Sequence, residues 1–93
     1  QRSAELGKHM LDRLSAIQSP MVKDVRGKGL LIGLEIDSEY ATARQVCDKL
    51  LEKGLLSKDT HGTVVRFAPP LVIEKEEIDW AVDTVAEVLK DMT

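Results

Sequence analysis

The chain has a single cysteine, Cys47, so no disulfide can form within it. Its fold must be held by packing, and the lone thiol fits a reducing compartment: the cytoplasm, or the mitochondrial matrix in a eukaryote. Aromatic residues are almost as scarce, with Tyr40, Phe67 and Trp80 the full set. Three rings make no platform on which nucleic-acid bases could stack. Basic excess is missing too: the net charge is −3, without the cationic footprint that nucleic acid requires. No apolar run approaches the roughly 20 residues of a membrane-spanning helix, and no signal peptide is visible. His9, His61 and Cys47 stand at no metal-ligand spacing, which argues against a zinc site.

What remains is the material of one small domain. The 93 residues can bury a single modest core. Hydrophobic residues make up 43% and charged residues 31%, the proportions of an ordinary globular domain. The chain opens Gln1-Arg2-Ser3 without an initiator methionine and runs directly into a helical pattern. The expectation is a single domain, residues 1–93, excised from a longer polypeptide. Some exposed apolar surface would then belong against a missing neighbour.

Periodicity sets out the elements. Leu6, Met10, Leu11, Leu14 and Ile17 mark one stripe of a first helix, which Ser19-Pro20 should end. Val22 to Gly29 is polar and carries two glycines, and it reads as a turn or bulge. From Leu30 to Ile36 the pattern alternates, with Leu30, Ile32, Leu34 and Ile36 on one strand face. Asp37-Ser38 offers turn and capping chemistry. Ala43, Val46, Cys47, Leu50 and Leu51 stripe a second helix that Gly54 should close. Leu55 to Lys58 reads as a short strand, Asp59 to Gly62 as a turn, and Thr63 to Phe67 as a strand stopped by Ala68-Pro69-Pro70. A third helix runs from Lys75 to Lys90 on Ile78, Ala81, Val82, Val85 and Leu89, with Glu74, Glu76 and Glu77 near its positive end. The simplest way to bury these stripes is an α+β two-layer fold. Three helices would pack on one face of a small, mostly antiparallel sheet.

Arg66 is the leading functional residue. It interrupts an apolar strand, and arginine is rarely buried without a partner. Alternation puts Val65 and Phe67 on one face and Val64, Arg66 and Ala68 on the other. A guanidinium projecting from a fixed strand position suits bidentate capture of a ligand carboxylate. A structural ion pair with a glutamate of the same domain serves the pattern equally well. Arg26-Gly27-Lys28-Gly29 could cradle a phosphate but lacks the spacing of a nucleotide-binding loop, so a glycine-rich turn with two solvated cations is the better reading. His61 reads as a turn residue, His9 as solvated and Cys47 as inert core. Trp80 falls off the main stripe of its helix. The chain contains no nucleophile–base pair, carboxylate dyad or metal cluster, and so no catalytic residue of its own.

Four segments in this order carry a family resemblance: Val25-Arg26-Gly27-Lys28-Gly29-Leu30-Leu31, Lys53-Gly54-Leu55-Leu56-Ser57-Lys58, Thr60-His61-Gly62, and Arg66-Phe67-Ala68-Pro69-Pro70-Leu71. They resemble the C-terminal small domain of class III pyridoxal-phosphate aminotransferases. The Thr60–Gly62 turn joined to Arg66–Leu71 is most similar to the ornithine-utilising branch. The acetylornithine and 4-aminobutyrate branches share the glycine pair and the arginine. The resemblance implies a fold-type I enzyme, active as a homodimer on amino and 2-oxo acids. Pyridoxal 5′-phosphate and the Schiff-base lysine would belong to a large domain outside this chain. It also implies that Arg66 binds the carboxylate of the 2-oxo acid, pairs with a large-domain glutamate when the amine donor is bound, and has Thr60, His61 and Gly62 as site neighbours.

Overall fold

In the computed structural model, residues 2–28, 31–60, 62–67 and 74–92 are described. Seven elements follow in order: α1 (Arg2–Ser15), β1 (Val22–Lys28), β2 (Leu31–Ile36), α2 (Ala43–Glu52), β3 (Lys58–Thr60), β4 (Val64–Phe67) and α3 (Lys75–Met92). The strands form one sheet in the order β1-β2-β4-β3, and every pairing in it is antiparallel. Helices cover one face only. On that side Ile32, Leu34, Ile36, Val65 and Phe67 are buried. They pack with Met10 and Leu14 of α1, Val46 and Leu50 of α2, and Ile78, Val82, Val85 and Leu89 of α3 in one continuous core. The expected α+β two-layer arrangement is therefore the observed one.

Several local expectations need correction. Val22 to Lys28 is not a turn but a full edge strand, paired with β2 through Gly27↔Ile32 and Lys28↔Leu31. Its polar sequence is that of a strand with one uncovered face, and a register shift between Val22 and Asp24 marks a bulge. Gly27 suits the packing there, because a Cβ would lie 2.7 Å from Ile32 Cδ1 and 3.0 Å from the Leu31 carbonyl oxygen and would force both to shift. The third strand begins at Lys58, so Asp59 and Thr60 are ladder residues, while Leu55 to Ser57 precede it. The first helix stops at Ser15, ahead of Ser19-Pro20, with its last turn tightened by an Ile17 N–H to Leu14 carbonyl bond of 3.2 Å. Gly29, Leu30, His61 and the Ala68–Leu71 segment lie outside the described residues.

The second helix shows why its ends fall where they do. Thr42, not Asp37-Ser38, is its N-cap. The Thr42 hydroxyl accepts from Gln45 N–H at 3.1 Å, and Gln45 Oε1 accepts from Thr42 N–H at 2.9 Å, a reciprocal capping box. Asp37 instead fixes the preceding turn by accepting from Glu39 N–H at 3.0 Å. At the other end Gly54 adopts φ 91°, and Leu55 N–H and Gly54 N–H donate to the Leu50 and Leu51 carbonyls, both at 2.9 Å. This is a Schellman stop, and the left-handed φ is why a glycine stands there.

Helices α1 and α3 are stitched by an ion network that the sequence did not announce. Asp79 accepts from Arg13 Nη1 at 2.8 Å and lies 2.7 Å from His9 Nε2, and Arg13 Nη2 also reaches Asp83 at 2.8 Å. His9 is therefore half-buried and partnered, not solvated. The hydrogen bonds from His9 and then Arg13 hold the Asp79 carboxyl below its ordinary range.

Candidate functional site

The site is built on the sheet face that no helix covers. Register alone places a row of residues straight across it: Arg26 opposite Gly33, Gly33 opposite Arg66, and Arg66 opposite Lys58. Cross-strand partners share a face. An acidic chain thus sets three cations in line, with a gap at Gly33 where a side chain would otherwise stand. Like charges directly opposite each other are destabilising, and the Arg66–Lys58 pair is such a case. An anion bound over this row would remove that repulsion.

The gap is the floor of a shallow, open concavity of about 350 Å³, flanked by Arg26 and Arg66 and walled by Leu31, Val64 and Thr60. Leu31 is 51% exposed, so one wall is an uncovered apolar surface. A Cβ at Gly33 would meet Val64 Cγ1 at 3.4 Å and the Arg26 carbonyl oxygen at 3.8 Å. These are ordinary contacts, so the backbone does not demand glycine here. The missing side chain leaves the concavity open.

The two arginines differ in their partners. Arg26 donates to Asp24 Oδ2 and Glu35 Oε1, each at 3.3 Å. Among the described residues no carboxylate pairs with Arg66, which is exposed at the end of β4. The internal ion pair that the sequence also allows for Arg66 is not formed among the described residues. Thr60, expected beside the site, lines the concavity. Gly62 sits in the turn before β4 with φ 78°, and its carbonyl accepts from Ala43 N–H at 3.1 Å, tying that turn to the start of α2. The sequence offers Arg26 only as part of a possible phosphate cradle, and Gly33 not at all. The signal that finds them is strand register, which a sequence read one strand at a time does not provide.

The remaining candidates do not join this site. Cys47 is buried on the α2 stripe, and burial pushes its thiol up, which keeps it protonated and unreactive. Among the described residues no three His, Cys, Asp or Glu side chains gather to hold a metal ion, and no helix is long and apolar enough to cross a membrane. Trp80 is 48% exposed on α3, with its ring near Gly54.

Solved aminotransferases share this small antiparallel sheet with helices on one face. The class-III aminotransferase family model matches residues 1–89, and the chain belongs to that family. It is 52% identical over 89 residues to an ornithine aminotransferase of Brevibacillus brevis, covering 96% of this chain and 22% of that one. The ornithine aminotransferase of Bacillus subtilis is 50% identical over 90 residues, with 97% and 22% covered. Among solved structures, the ornithine aminotransferase of Plasmodium yoelii superposes with a TM-score of 0.92 at 35% identity, covering 98% of this chain and 25% of that one. The acetylornithine aminotransferase of Elizabethkingia anophelis superposes at 0.88 with 33% identity, covering 97% and 24%. The chain thus spans about a fifth to a quarter of the length of the relatives it matches.

Proposed function

We propose that this chain is the C-terminal small domain of an ornithine aminotransferase and that it supplies the arginine for the substrate carboxylate. The whole enzyme would convert ornithine and a 2-oxo acid into glutamate 5-semialdehyde and an amino acid. The observation that carries the reading is Arg66: a guanidinium without an acidic partner among the described residues, fixed on a strand, beside an open concavity. Ornithine aminotransferases matching nearly all of this chain at about half identity support the amine donor.

Arg66 can present two parallel N–H donors to one carboxylate, which fixes both its position and its orientation. The row of cations raises the local potential for an anion before contact is made. Leu31 and Val64 offer apolar surface to the carbon chain of a bound acid. A large-domain glutamate that pairs with Arg66 while the amine donor is bound would let one site serve both substrates. Pyridoxal 5′-phosphate would carry the amino group between them. On this reading its site belongs to the large domain rather than to this chain. The large domain of the same polypeptide and a second copy of the enzyme are the partners this reading requires.

The test is transamination by the full-length protein, with ornithine as donor, 2-oxoglutarate as acceptor and glutamate 5-semialdehyde as readout. Activity with ornithine, and little with acetylornithine or 4-aminobutyrate, is expected. The acetylornithine enzyme of Elizabethkingia shares the fold closely, so acetylornithine is the rival donor. Activity with it alone would retain the domain assignment and overturn the choice of donor.

A further inference from the structure

The open sheet face carries one glutamate placed diagonally between two arginines. Glu35 stands on β2, where its direct partners are Asp24 on one side and Val64 on the other. Two residues along the same strand is Gly33, whose partners are Arg26 and Arg66. Glu35 is thus the diagonal neighbour of both arginines on one face, within reach of long side chains. In this structure it is bound to Arg26, with Arg26 Nη2 donating to Glu35 Oε1 at 3.3 Å. Both groups are solvent-accessible, at 63% and 29%.

We propose that Arg26 is a positioning residue that holds Glu35 away from Arg66, keeping Arg66 free for a ligand carboxylate. This rests on the reading of Arg66 given above and adds a control internal to the small domain. Lys58, opposite Arg66 on the far side, raises the positive potential there, so a released Glu35 is drawn to Arg66. Asp24 cannot substitute, because it lies on β1, two strands from Arg66. The small side of Gly33 leaves the path between the two arginines unobstructed. Arg26 therefore acts through Glu35 and never needs to touch substrate.

The experiment uses the full-length protein with 15N-labelled arginine, the Arg66 Nε–H signal being assigned by its loss in R66K. In R26Q that signal should shift as Glu35 moves onto Arg66, and in R26Q/E35Q it should return to its original position. The Michaelis constant for the 2-oxo acid should rise about two- to five-fold in R26Q, the range an exposed ion pair supports, and fall back in the double variant, with that for the amine donor unchanged. Arg26 is exposed and Glu35 half-buried on the uncovered sheet face, outside the core, so the variants should fold. An Arg66 signal unmoved in R26Q, or not restored in R26Q/E35Q, would overturn the proposal. A signal that moves and returns while the Michaelis constant stays fixed would sustain the counter-ion transfer and overturn the carboxylate role of Arg66.

Discussion

Replacing Gly33 by valine should make the domain more stable and the enzyme worse. Gly33 lies in a central strand without a left-handed φ, so it contributes only chain entropy to the unfolded state. A β-branched side chain here should relieve about 1 kcal/mol in all, the span of the strand scale from glycine to valine. The first atom of the new side chain fits at 3.4 Å from Val64 Cγ1. Its methyls then fill the floor of the concavity, between Arg26 and Arg66. A 2-oxo acid carboxylate displaced from Arg66 by even one methyl layer should lose about 1.4 kcal/mol or more, a tenfold rise in its Michaelis constant. The assay pairs urea unfolding of the 93-residue chain with steady-state kinetics of the full-length protein. A gain in stability with a tenfold or larger penalty for the 2-oxo acid is expected. An unchanged Michaelis constant would show that the carboxylate does not sit over Gly33. A loss of stability would show that glycine is there for the backbone after all.

Two further outcomes test the packing and the charge network. Leu50→Ala should cost about 2–5 kcal/mol because Leu50 is fully buried, whereas Leu51→Ala should stay within about 0.5 kcal/mol because Leu51 is 57% exposed; urea midpoints separate them. The lowered Asp79 carboxyl stabilises the fold when ionised, so its contribution is present above the ordinary carboxylate value and is lost as pH falls through the depressed one. Acid titration of stability should therefore show a falling limb below about pH 4, and Asp79→Asn should flatten it.

Much of this architecture could be read from local pattern. The stripes of α2 and α3 fixed their helices because each buries one side, and Arg66 was correctly placed off the core because strand alternation is rigid. Leu51 was assigned to the buried stripe because i+8 spacing cannot tell the centre of a face from its rim. The polar β1 is hidden in the sequence because a strand with a bare outer face and a glycine between Arg26 and Lys28 has the composition of a turn, and its strand character comes from pairing with β2. Thr42-x-x-Gln45 is a legible capping box, while the earlier Asp37-Ser38 has the same cap chemistry but holds only a turn. The site was half legible: Arg66 and Thr60 could be named, but the alignment of Arg26, Gly33 and Lys58 with Arg66 depends on register across three pairings. That register includes a bulge near Val22 that no spacing rule locates.

The central claim is that Arg66 holds the carboxylate of the 2-oxo acid, and Arg66→Ala in the full-length protein tests it most directly. Removing one partner of a charge pair that closes in the complex should cost about 2–5 kcal/mol in kcat/KM for 2-oxoglutarate. The Michaelis constant for ornithine should change far less, because on this account Arg66 would then pair with a large-domain carboxylate rather than with substrate. Equal losses for both substrates would contradict the account.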